Sequence, residues 1–357
     1  MNAIENQLQA LLNAQIGRDH IHNIVAAVQS HDRNIDYVGA AGTADPQTGA
    51  AMTPDTPYFI ASVTKLFTAA IVMGMYEKKR LELDAPISKY LPASLTQGIH
   101  IFKGTDYSNR IKVSELVSQS SGLADYETEK LRGEKSVLDE LKAGHDRSIN
   151  TAEAVEVVRR LTPHFSPGTR GKAHYSNLNY RLLGAIIESI TGQSMAVNFE
   201  EKICAPLGLK QTYLFNRAIA LRNPVPATIY FKDTPANISN YLSSNVSDGG
   251  LVSTASEIMT FLRAFFEGRL FDKTLFDRMM SWNSLFFPLR YGYGLMYFQL
   301  PRYFWLTPLP GFIGHSGTTG SFAFTCPSRS LYLAGTVNQV SPAKPFFLMM
   351  DLVRAVT

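Results

Sequence analysis

Two side chains one helical turn apart, Ser62 and Lys65, carry the first sign of chemistry in this sequence. The apolar residues that follow, up to Ala70, predict a buried helix that begins close to the serine. Because three residues make nearly one turn, the lysine amine can meet the serine hydroxyl on one face. Burial lowers the pKa of a lysine, and the helix N-terminus supplies positive potential where an oxyanion would develop. The pair predicts an activated serine nucleophile.

The same pair also fits a simpler interpretation. A serine at this place can be a helix N-cap with an unrelated lysine one turn later. A second copy of the pattern, Ser341 to Lys344, lies at a proline-containing start of the final predicted helix and is interpreted as a chance match. Further groups are therefore needed to distinguish an active serine from a cap.

A tyrosine ahead of a second predicted helix is the next candidate. Tyr175 lies in the segment His174–Tyr180, which precedes a helix whose apolar face includes Leu183 and Ile187. A phenol close to a lysine cation is shifted toward phenolate, so Tyr175 is predicted to take the Ser62 proton. As one of 16 tyrosines, it would by itself be interpreted as a packing residue.

A glycine-rich segment, Gly311–Gly320, leads into a predicted strand that begins at Ser321. Its glycines let a substrate approach the backbone of an edge strand. An amide of that edge could join the Ser62 N–H in an oxyanion hole, with His315 facing the substrate. Alone, the segment equally fits a glycine-rich hairpin with a surface histidine.

In this order, the three elements resemble the serine β-lactamase and penicillin-binding-protein superfamily. The resemblance is to its branch of class C β-lactamases, D-alanyl-D-alanine carboxypeptidases and related carboxylesterases, and it spans roughly residues 20 to 340. Three further segments carry it: Gln119–Tyr126, which is similar to the family's His-Thr-Ser-Gly-Leu, Ala205–Thr212 and Gly249–Thr254.

The resemblance implies a role for each matching position. Ser62 would be the nucleophile, Lys65 its partner and Tyr175 the general base. Asn177 would help to bind the substrate and steady the lysine. The backbone amides of Ser62 and Thr318 would form the oxyanion hole.

The Lys-Thr-Gly triplet of many family members is replaced here by His315, Ser316 and Gly317. By position, His315 is predicted to be catalytic, and Ser316 and Gly317 are predicted to bind substrate. Histidine is only fractionally charged near neutral pH, so it would hold a substrate carboxylate less firmly than lysine does. The resemblance therefore favours a serine hydrolase of carboxylesterase or D-amino-acid peptidase or amidase type, with β-lactamase activity weak or absent.

Two alternatives stay open. One is a true class C-like β-lactamase or D-alanyl-D-alanine carboxypeptidase, and the other is a catalytically silent relative that binds a peptide. Detection of an acyl group on Ser62 would distinguish an active enzyme from a catalytically silent relative. An α/β-hydrolase is excluded, because no serine in the chain is flanked as in Gly-x-Ser-x-Gly.

Strand-like segments at both ends of the chain predict an α+β fold of the β-lactamase/transpeptidase type. They lie at 23–29, 36–41, 293–298, 321–325 and 331–337, and helical patterns dominate between about 61 and 265. The economical packing is one antiparallel sheet from both chain ends, flanked by helices, with the mainly helical region inserted. We expect a discontinuous sheet domain, 1–75 with 266–357, a helical domain, 76–265, and an active site at their interface.

The substrate is expected to be a small molecule or a short peptide. Aromatic residues close to His315 are candidates to wall an apolar cleft for it: Phe286, Phe287, Tyr291, Tyr293, Tyr303, Phe304 and Trp305. The net charge of +4 on 357 residues comes without a basic cluster, so no nucleic-acid partner is predicted.

Metal ligands and disulfides are not predicted either. Cys204 and Cys326 have no metal-ligand spacing and are interpreted as buried thiols. His20 and His22 lack the rest of a ligand motif, so neither a metal nor another cofactor is expected.

The N-terminus and the apolar runs bear on location. Residues 1–12 lack the basic start and apolar core of a signal peptide. The longest nearly apolar run, Leu66–Tyr76, is shorter than the roughly 18 residues that a spanning helix needs. We expect no membrane span and a cytoplasmic protein, or a periplasmic or secreted one if a signal has been removed. The oligomeric state stays open.

Overall fold

Both ends of the chain supply strands to one nine-stranded antiparallel sheet, which confirms the predicted α+β fold. The computed structural model describes residues 2–216, 225–300, 310–341 and 343–356. Across the sheet the strands run in the order β11 (Asn283–Phe286), β12 (Leu289–Tyr291), β13 (Met296–Phe298), β14 (Phe312–Ser316), β15 (Ser321–Cys326), β16 (Leu331–Thr336), β1 (Asn23–Ser30), β2 (Asp36–Asp45) and β3 (Ala50–Ala51).

The two chain ends meet near the middle of this sheet. β1 pairs antiparallel with β16, and Val25 lies opposite Thr336. Every residue of β1, β15 and β16 is buried, so both faces of these strands are covered. This burial explains why their sequences are nearly continuous apolar runs. The predicted strand at 293–298 begins only at Met296, because Gly294 turns the chain with a φ of +76°.

Three small sheets contain the remaining described strands. One consists of β4 (Tyr58–Phe59), β10 (Leu251–Ser253) and β7 (Tyr213–Leu214), and the others pair β5 (Ile101–Phe102) with β6 (Thr105–Asp106) and β8 (Tyr230–Phe231) with β9 (Thr234–Pro235). The first of them bears on the site, because β4 ends three residues before Ser62.

The described helices cover the large sheet and fill the inserted region. They are α1 (Ala3–Gln15), α2 (Thr64–Glu77), α3 (Ala93–Thr96), α4 (Val113–Val117), α5 (Val137–Lys142), α6 (Thr151–Arg160), α7 (Asn177–Thr191), α8 (Met195–Phe199), α9 (Ala205–Leu207), α10 (Ser239–Ser244), α11 (Ala255–Phe266), α12 (Phe276–Met279) and α13 (Lys344–Val356). A π-helical turn, Glu200–Cys204, joins α8 to α9. α1 contacts β1, β2 and α13.

Helix α11 contacts β1, β15 and β16, although the division expected at 265/266 assigns it to the helical region. Thr254 caps it by accepting the Glu257 amide. The Glu257 carboxylate accepts the Lys210 and Gln211 amides, so it ties the preceding loop to the helix instead of completing a capping box. The division into two domains stays a prediction.

Helix α2 runs through the interior and has almost no solvent face. Every residue from Thr64 to Met73 is buried. The Phe67 ring stacks on Phe261 of α11, with ring centroids 3.6 Å apart, and meets the edge of Phe199 of α8. The helix that begins beside Ser62 is therefore anchored to elements on both sides of it.

We predict that Phe67→Ala lowers the free energy of unfolding by about 3–5 kcal/mol, because it leaves a cavity where α2 meets α8 and α11. Guanidinium denaturation measures the change. The matched control is Phe347→Ala on α13, where the ring is 60% exposed; there the change should stay within about 0.5 kcal/mol. Similar losses for both variants would contradict the central role of this contact.

Candidate active site

Ser62 is placed by a short strand and a strained turn. The Ile60 N–H donates to the Leu251 carbonyl of β10 at 3.0 Å. Ala61 then adopts a φ of +45°, which is unfavourable for a residue with a side chain. One 3₁₀ turn, Ala61–Val63, leads into α2. Strain at this point is consistent with a functional position, because the surrounding pairing must maintain it.

Lys65 is fully buried and directs all three donors of its ammonium group at oxygen atoms. Nζ lies 3.0 Å from Ser62 Oγ, 2.8 Å from Asn177 Oδ1 and 2.6 Å from the Asp248 carbonyl oxygen. Burial lowers the pKa of Lys65 to about 8, although the nearby carboxylates of Asp248 and Glu127 oppose the shift. A lowered pKa was predicted from the apolar residues that flank Lys65 in the sequence.

Tyr175 lies against the same lysine. Its pKa is not shifted toward the phenolate form that the sequence predicts. Lys65 Nζ is 5.1 Å from the centroid of its ring, and its hydroxyl interacts with the Ser62 side chain. Burial raises the pKa of Tyr175 well above its ordinary value, and the charges of Glu127 and Asp125 raise it further. The expected shift of the pKa toward phenolate is therefore wrong, because desolvation and two carboxylates raise the pKa.

Asn177 connects the lysine to a group of buried carboxylates. Its backbone N–H donates to Asp125 Oδ1 at 2.9 Å, and its Nδ2 donates to Glu127 Oε2 at 2.9 Å. Glu127 Oε2 also accepts the Tyr241 hydroxyl at 2.7 Å. Burial raises the pKa of Glu127 to about 7, and the charge of Asp125 adds to the shift. Asn177 thus takes the lysine-steadying position that the family resemblance implies.

Asp248 is a further buried carboxylate that the sequence analysis missed. Its Oδ2 accepts the Tyr126 hydroxyl at 3.0 Å and Arg181 Nε at 3.2 Å. Its Oδ1 is buried and has no hydrogen-bond partner among the described residues. Glu127 and Tyr241 were also missed. These partners lie 50 to 122 residues apart in sequence, so no local pattern could have joined them.

The segment that resembles His-Thr-Ser-Gly-Leu positions the start of α7. Gln119 Oε1 accepts the Ser176 amide at 3.0 Å and the side-chain amide of Asn179. Ser121 Oγ donates to Asn179 Oδ1 at 2.7 Å. This segment therefore holds the loop that carries Tyr175 without contributing a group to the nucleophile.

The glycine-rich segment is tied to the backbone just before the nucleophile. Ser321 Oγ donates to the Ile60 carbonyl at 2.6 Å, and Thr319 Oγ1 donates to the Phe59 carbonyl at 3.0 Å. Gly317 fits only because it lacks a side chain: a Cβ there would lie 2.8 Å from the Ile60 carbonyl oxygen and 2.2 Å from Ser321 Oγ. Residues 317–321 and 59–61 are thereby packed together.

One cavity brings several predicted residues together. Ser62, Asn177 and the exposed Thr318 line it. Within the described part of the chain, the Ser62 and Thr318 amides have no backbone partner, as an oxyanion hole requires. Most of the other wall residues are apolar: Ala61, Leu138, Leu141, Phe231, Ile238, Tyr241, Leu242 and Val340. The remaining wall residues are Glu127, Asn245, Asp248, Gly249 and Thr319.

His315 does not face this cavity as the sequence analysis expects. It is fully buried, its Nδ1 donates to the Ser316 carbonyl at 2.7 Å, and its Nε2 lies 3.0 Å from the Tyr291 hydroxyl. Burial and the nearby Lys65 charge lower the pKa of His315 to about 3. The expectation of a partly charged, substrate-facing histidine is therefore wrong, because both ring nitrogens are used internally. Ser316, also predicted to bind substrate, is half-buried and donates to Met296 Sδ at 3.6 Å.

The predicted aromatic wall is also absent from this cavity in the described residues. Phe286 and Phe287 are exposed, whereas Tyr291 is buried beside His315. Tyr293 lies near Arg278. Tyr303, Phe304 and Trp305 lie outside the described residues.

Other side chains agree with their interpretations. Cys204 and Cys326 are free and buried, as predicted. Lys344 of the second Ser-x-x-Lys copy donates to the Asp19 carbonyl, which agrees with a chance match. Among the described helices, none combines the length and the hydropathy of a membrane span.

The model of the Beta-lactamase family matches residues 4–357. The chain belongs to the beta-lactamase family. Esterase EstB of Burkholderia gladioli is 30% identical over 207 residues, 57% of this chain and 50% of that protein. D-aminopeptidase of Brucella anthropi is 34% identical over 196 residues, 54% of this chain and 32% of that protein. This beta-lactamase family chain thus matches half or less of the length of these relatives.

Two solved structures of beta-lactamase-like fold cover nearly the whole chain. A D-stereospecific amidohydrolase from Streptomyces sp. has a TM-score of 0.74 at 25% identity and covers 96% of this chain and 97% of its own. D-amino acid amidase from Ochrobactrum anthropi SV3, complexed with L-phenylalanine amide, has a TM-score of 0.79 at 23% identity and covers 99% of each chain. At 23% identity, the second supports the shared fold alone.

Proposed function

We propose that the protein is a serine hydrolase that forms an acyl-enzyme at Ser62 and hydrolyses an amide or an ester. The observation that carries the proposal is the contact of Ser62 Oγ with a buried lysine whose pKa is lowered to about 8. The names of the relatives, an esterase and a D-aminopeptidase, support the same class of reaction.

In the proposed acylation, Lys65 is the base. Neutral Lys65 Nζ accepts the Ser62 proton as Oγ attacks the substrate carbonyl carbon, and the Ser62 and Thr318 amides stabilise the oxyanion. Tyr175, protonated because its pKa is raised, donates its proton to the leaving group and is reprotonated by the Lys65 ammonium. Water then attacks the acyl carbon and releases the acid. This assignment differs from Tyr175 as the initial base, because burial and the charges of Glu127 and Asp125 raise the pKa of the phenol.

The cavity wall favours a substrate with a positively charged amine next to an apolar group. Glu127 Oε2 already accepts two hydrogen bonds, whereas its Oε1 accepts none from the described residues. Of the wall residues described, none is Lys, Arg or His. We therefore propose amides or esters of apolar amino acids, and the D-aminopeptidase relative supports the D series.

A carboxylesterase for neutral acyl groups is the second candidate, favoured by the apolar wall and by the similarity to EstB. β-Lactamase activity is expected to be weak. Because His315 is buried and neutral, it supplies no cation for the carboxylate of a penicillin.

Turnover should pass through a covalent intermediate on Ser62. We predict that mass spectrometry of protein quenched during hydrolysis of a p-nitrophenyl ester finds the acyl mass on the peptide that contains Ser62. Ser62→Ala should carry no label and have no activity, whereas Ser341→Ala, in the second copy of the motif, should behave like the wild type. An unlabelled Ser62 with no turnover of any ester, amino-acid amide or penicillin would support the silent relative.

The pKa of Lys65 sets the expected pH dependence. Neutral Lys65 is the active form, so kcat/KM for an uncharged ester should rise about tenfold per pH unit below pH 8 and level off above it. Tyr175→Phe should lower kcat about 100-fold or more and keep the inflection. Glu127→Gln should move the inflection to lower pH, because the Glu127 charge raises the pKa of Lys65. Loss of the inflection in Tyr175→Phe would assign the base to the phenol instead.

Amine recognition can be separated from catalysis with paired substrates. We predict that Glu127→Gln lowers kcat/KM on D-phenylalanine p-nitroanilide about 10- to 100-fold relative to its effect on the analogue that lacks the amino group. The control is Glu82→Gln, an exposed carboxylate paired with Lys89. Equal effects on both substrates would favour the carboxylesterase candidate. The L-enantiomer measured alongside gives the stereochemical preference.

A further inference from the structure

A second cluster of reactive side chains lies outside the cavity. Glu129 Oε1 is 2.7 Å from His174 Nε2, and Glu129 Oε2 is 3.0 Å from His164 Nε2. The two imidazole rings are stacked, with centroids 3.5 Å apart and planes 18° apart. One carboxylate and two Nε2 atoms therefore converge on one small volume.

The donor set is the one that binds zinc. Neutral imidazole nitrogen and carboxylate oxygen are preferred ligands of Zn²⁺, and two histidines with one glutamate form a known three-ligand set. These ligand atoms lie within 4.8 Å of one another, close enough to share one ion. No metal site is predicted from the sequence, because its histidines are scattered and match no ligand motif. His164 lies 35 residues from Glu129.

Backbone hydrogen bonds hold each ligand in place before any ion binds. The Asp125 amide donates to Glu129 Oε1 at 2.8 Å. The His164 amide donates to the Gly122 carbonyl at 2.9 Å, and the His174 amide donates to the Gln119 carbonyl at 2.8 Å. The Glu129 carboxylate and the backbones of His164 and His174 are thus all tied to one segment, 119–125.

The cluster is also open on one side. The side chains of Glu129, His164 and His174 are 27%, 39% and 26% exposed, so an ion can enter and keep a water ligand. A second histidine–carboxylate cluster, in which His20 and His22 contact Asp233, is less enclosed and its aspartate is 66% exposed. That cluster has no stacked histidine pair among the described ring contacts, which makes it a control for weak surface binding.

We propose that Glu129, His164 and His174 form a site for one exchangeable divalent transition ion, with Zn²⁺ the best match to the ligands. The ion would join segment 119–125 to the loop at 164 and to the residue that precedes Tyr175. Its role is to stabilise the loop that carries Tyr175, and it touches neither the nucleophile nor the substrate. This proposal does not depend on the proposed hydrolase function.

The test is calorimetric titration of the metal-free, full-length protein with Zn²⁺ alone. We expect one ion per chain in the wild type, binding weakened at least tenfold in Glu129→Gln and in His164→Ala, and unchanged binding in His22→Ala. At a hundredfold excess over Kd, Zn²⁺ should raise the thermal unfolding temperature of the wild type by several degrees. Far-ultraviolet circular dichroism of the metal-free variants establishes that they are folded.

A second readout uses Co²⁺ in place of Zn²⁺. A visible absorption spectrum typical of four-coordinate nitrogen and oxygen ligation should appear in the wild type and in His22→Ala but be absent in His164→Ala. The proposal is overturned if the wild type binds no stoichiometric ion, or if binding survives in both site variants and is lost in His22→Ala.

Discussion

The burial of the Lys65 ammonium group is the constraint on which the rest of the site depends. A charged amine without solvent must have every donor satisfied, and each of its three acceptors comes from a different part of the chain. Ser62 lies one turn before it, Asn177 begins α7, and Asp248 precedes β10. The position of one nitrogen atom therefore requires that these three segments meet.

The carboxylates around the lysine follow from the same constraint. Asp125, Glu127 and Asp248 surround two buried cations, Lys65 and Arg181, so the interior charge is nearly balanced. Their attraction limits how far burial can lower the pKa of Lys65, whereas their repulsion raises the pKa of Tyr175. A lysine that is a usable base and a tyrosine that stays protonated are two results of one electrostatic arrangement.

The triplet His315-Ser316-Gly317 replaces the family's Lys-Thr-Gly. Histidine chemistry alone indicates a partly charged side chain that faces the substrate, but the structure places His315 in the interior. His315 serves the interior, where it bonds to Tyr291 and to the Ser316 carbonyl. Gly317 keeps its expected place, since residues 317–321 pack against the backbone before Ser62. The described wall of the cavity consequently includes no Lys, Arg or His, and it includes the carboxylate of Glu127. This combination directs the proposed specificity away from anionic substrates.

Local sequence patterns were enough to predict the fold class and many of the candidate catalytic residues. The strands at both chain ends, the apolar helix after Ser62 and the helix after Tyr175 follow from periodicity, which depends on neighbouring residues only. The ordered motifs by themselves indicate the family. The direction of the Lys65 pKa shift was predicted as well, because an apolar helix is expected to be buried.

Tertiary structure alone decided the electrostatics and the environment of individual side chains. The raised pKa of Tyr175, the neutral buried state of His315 and the roles of Glu127 and Asp248 depend on partners far away in the sequence. The convergence of Glu129, His164 and His174 has the same origin. Desolvation and charge–charge interaction act through space, and a sequence pattern specifies which residues are present but not which of them share a buried volume.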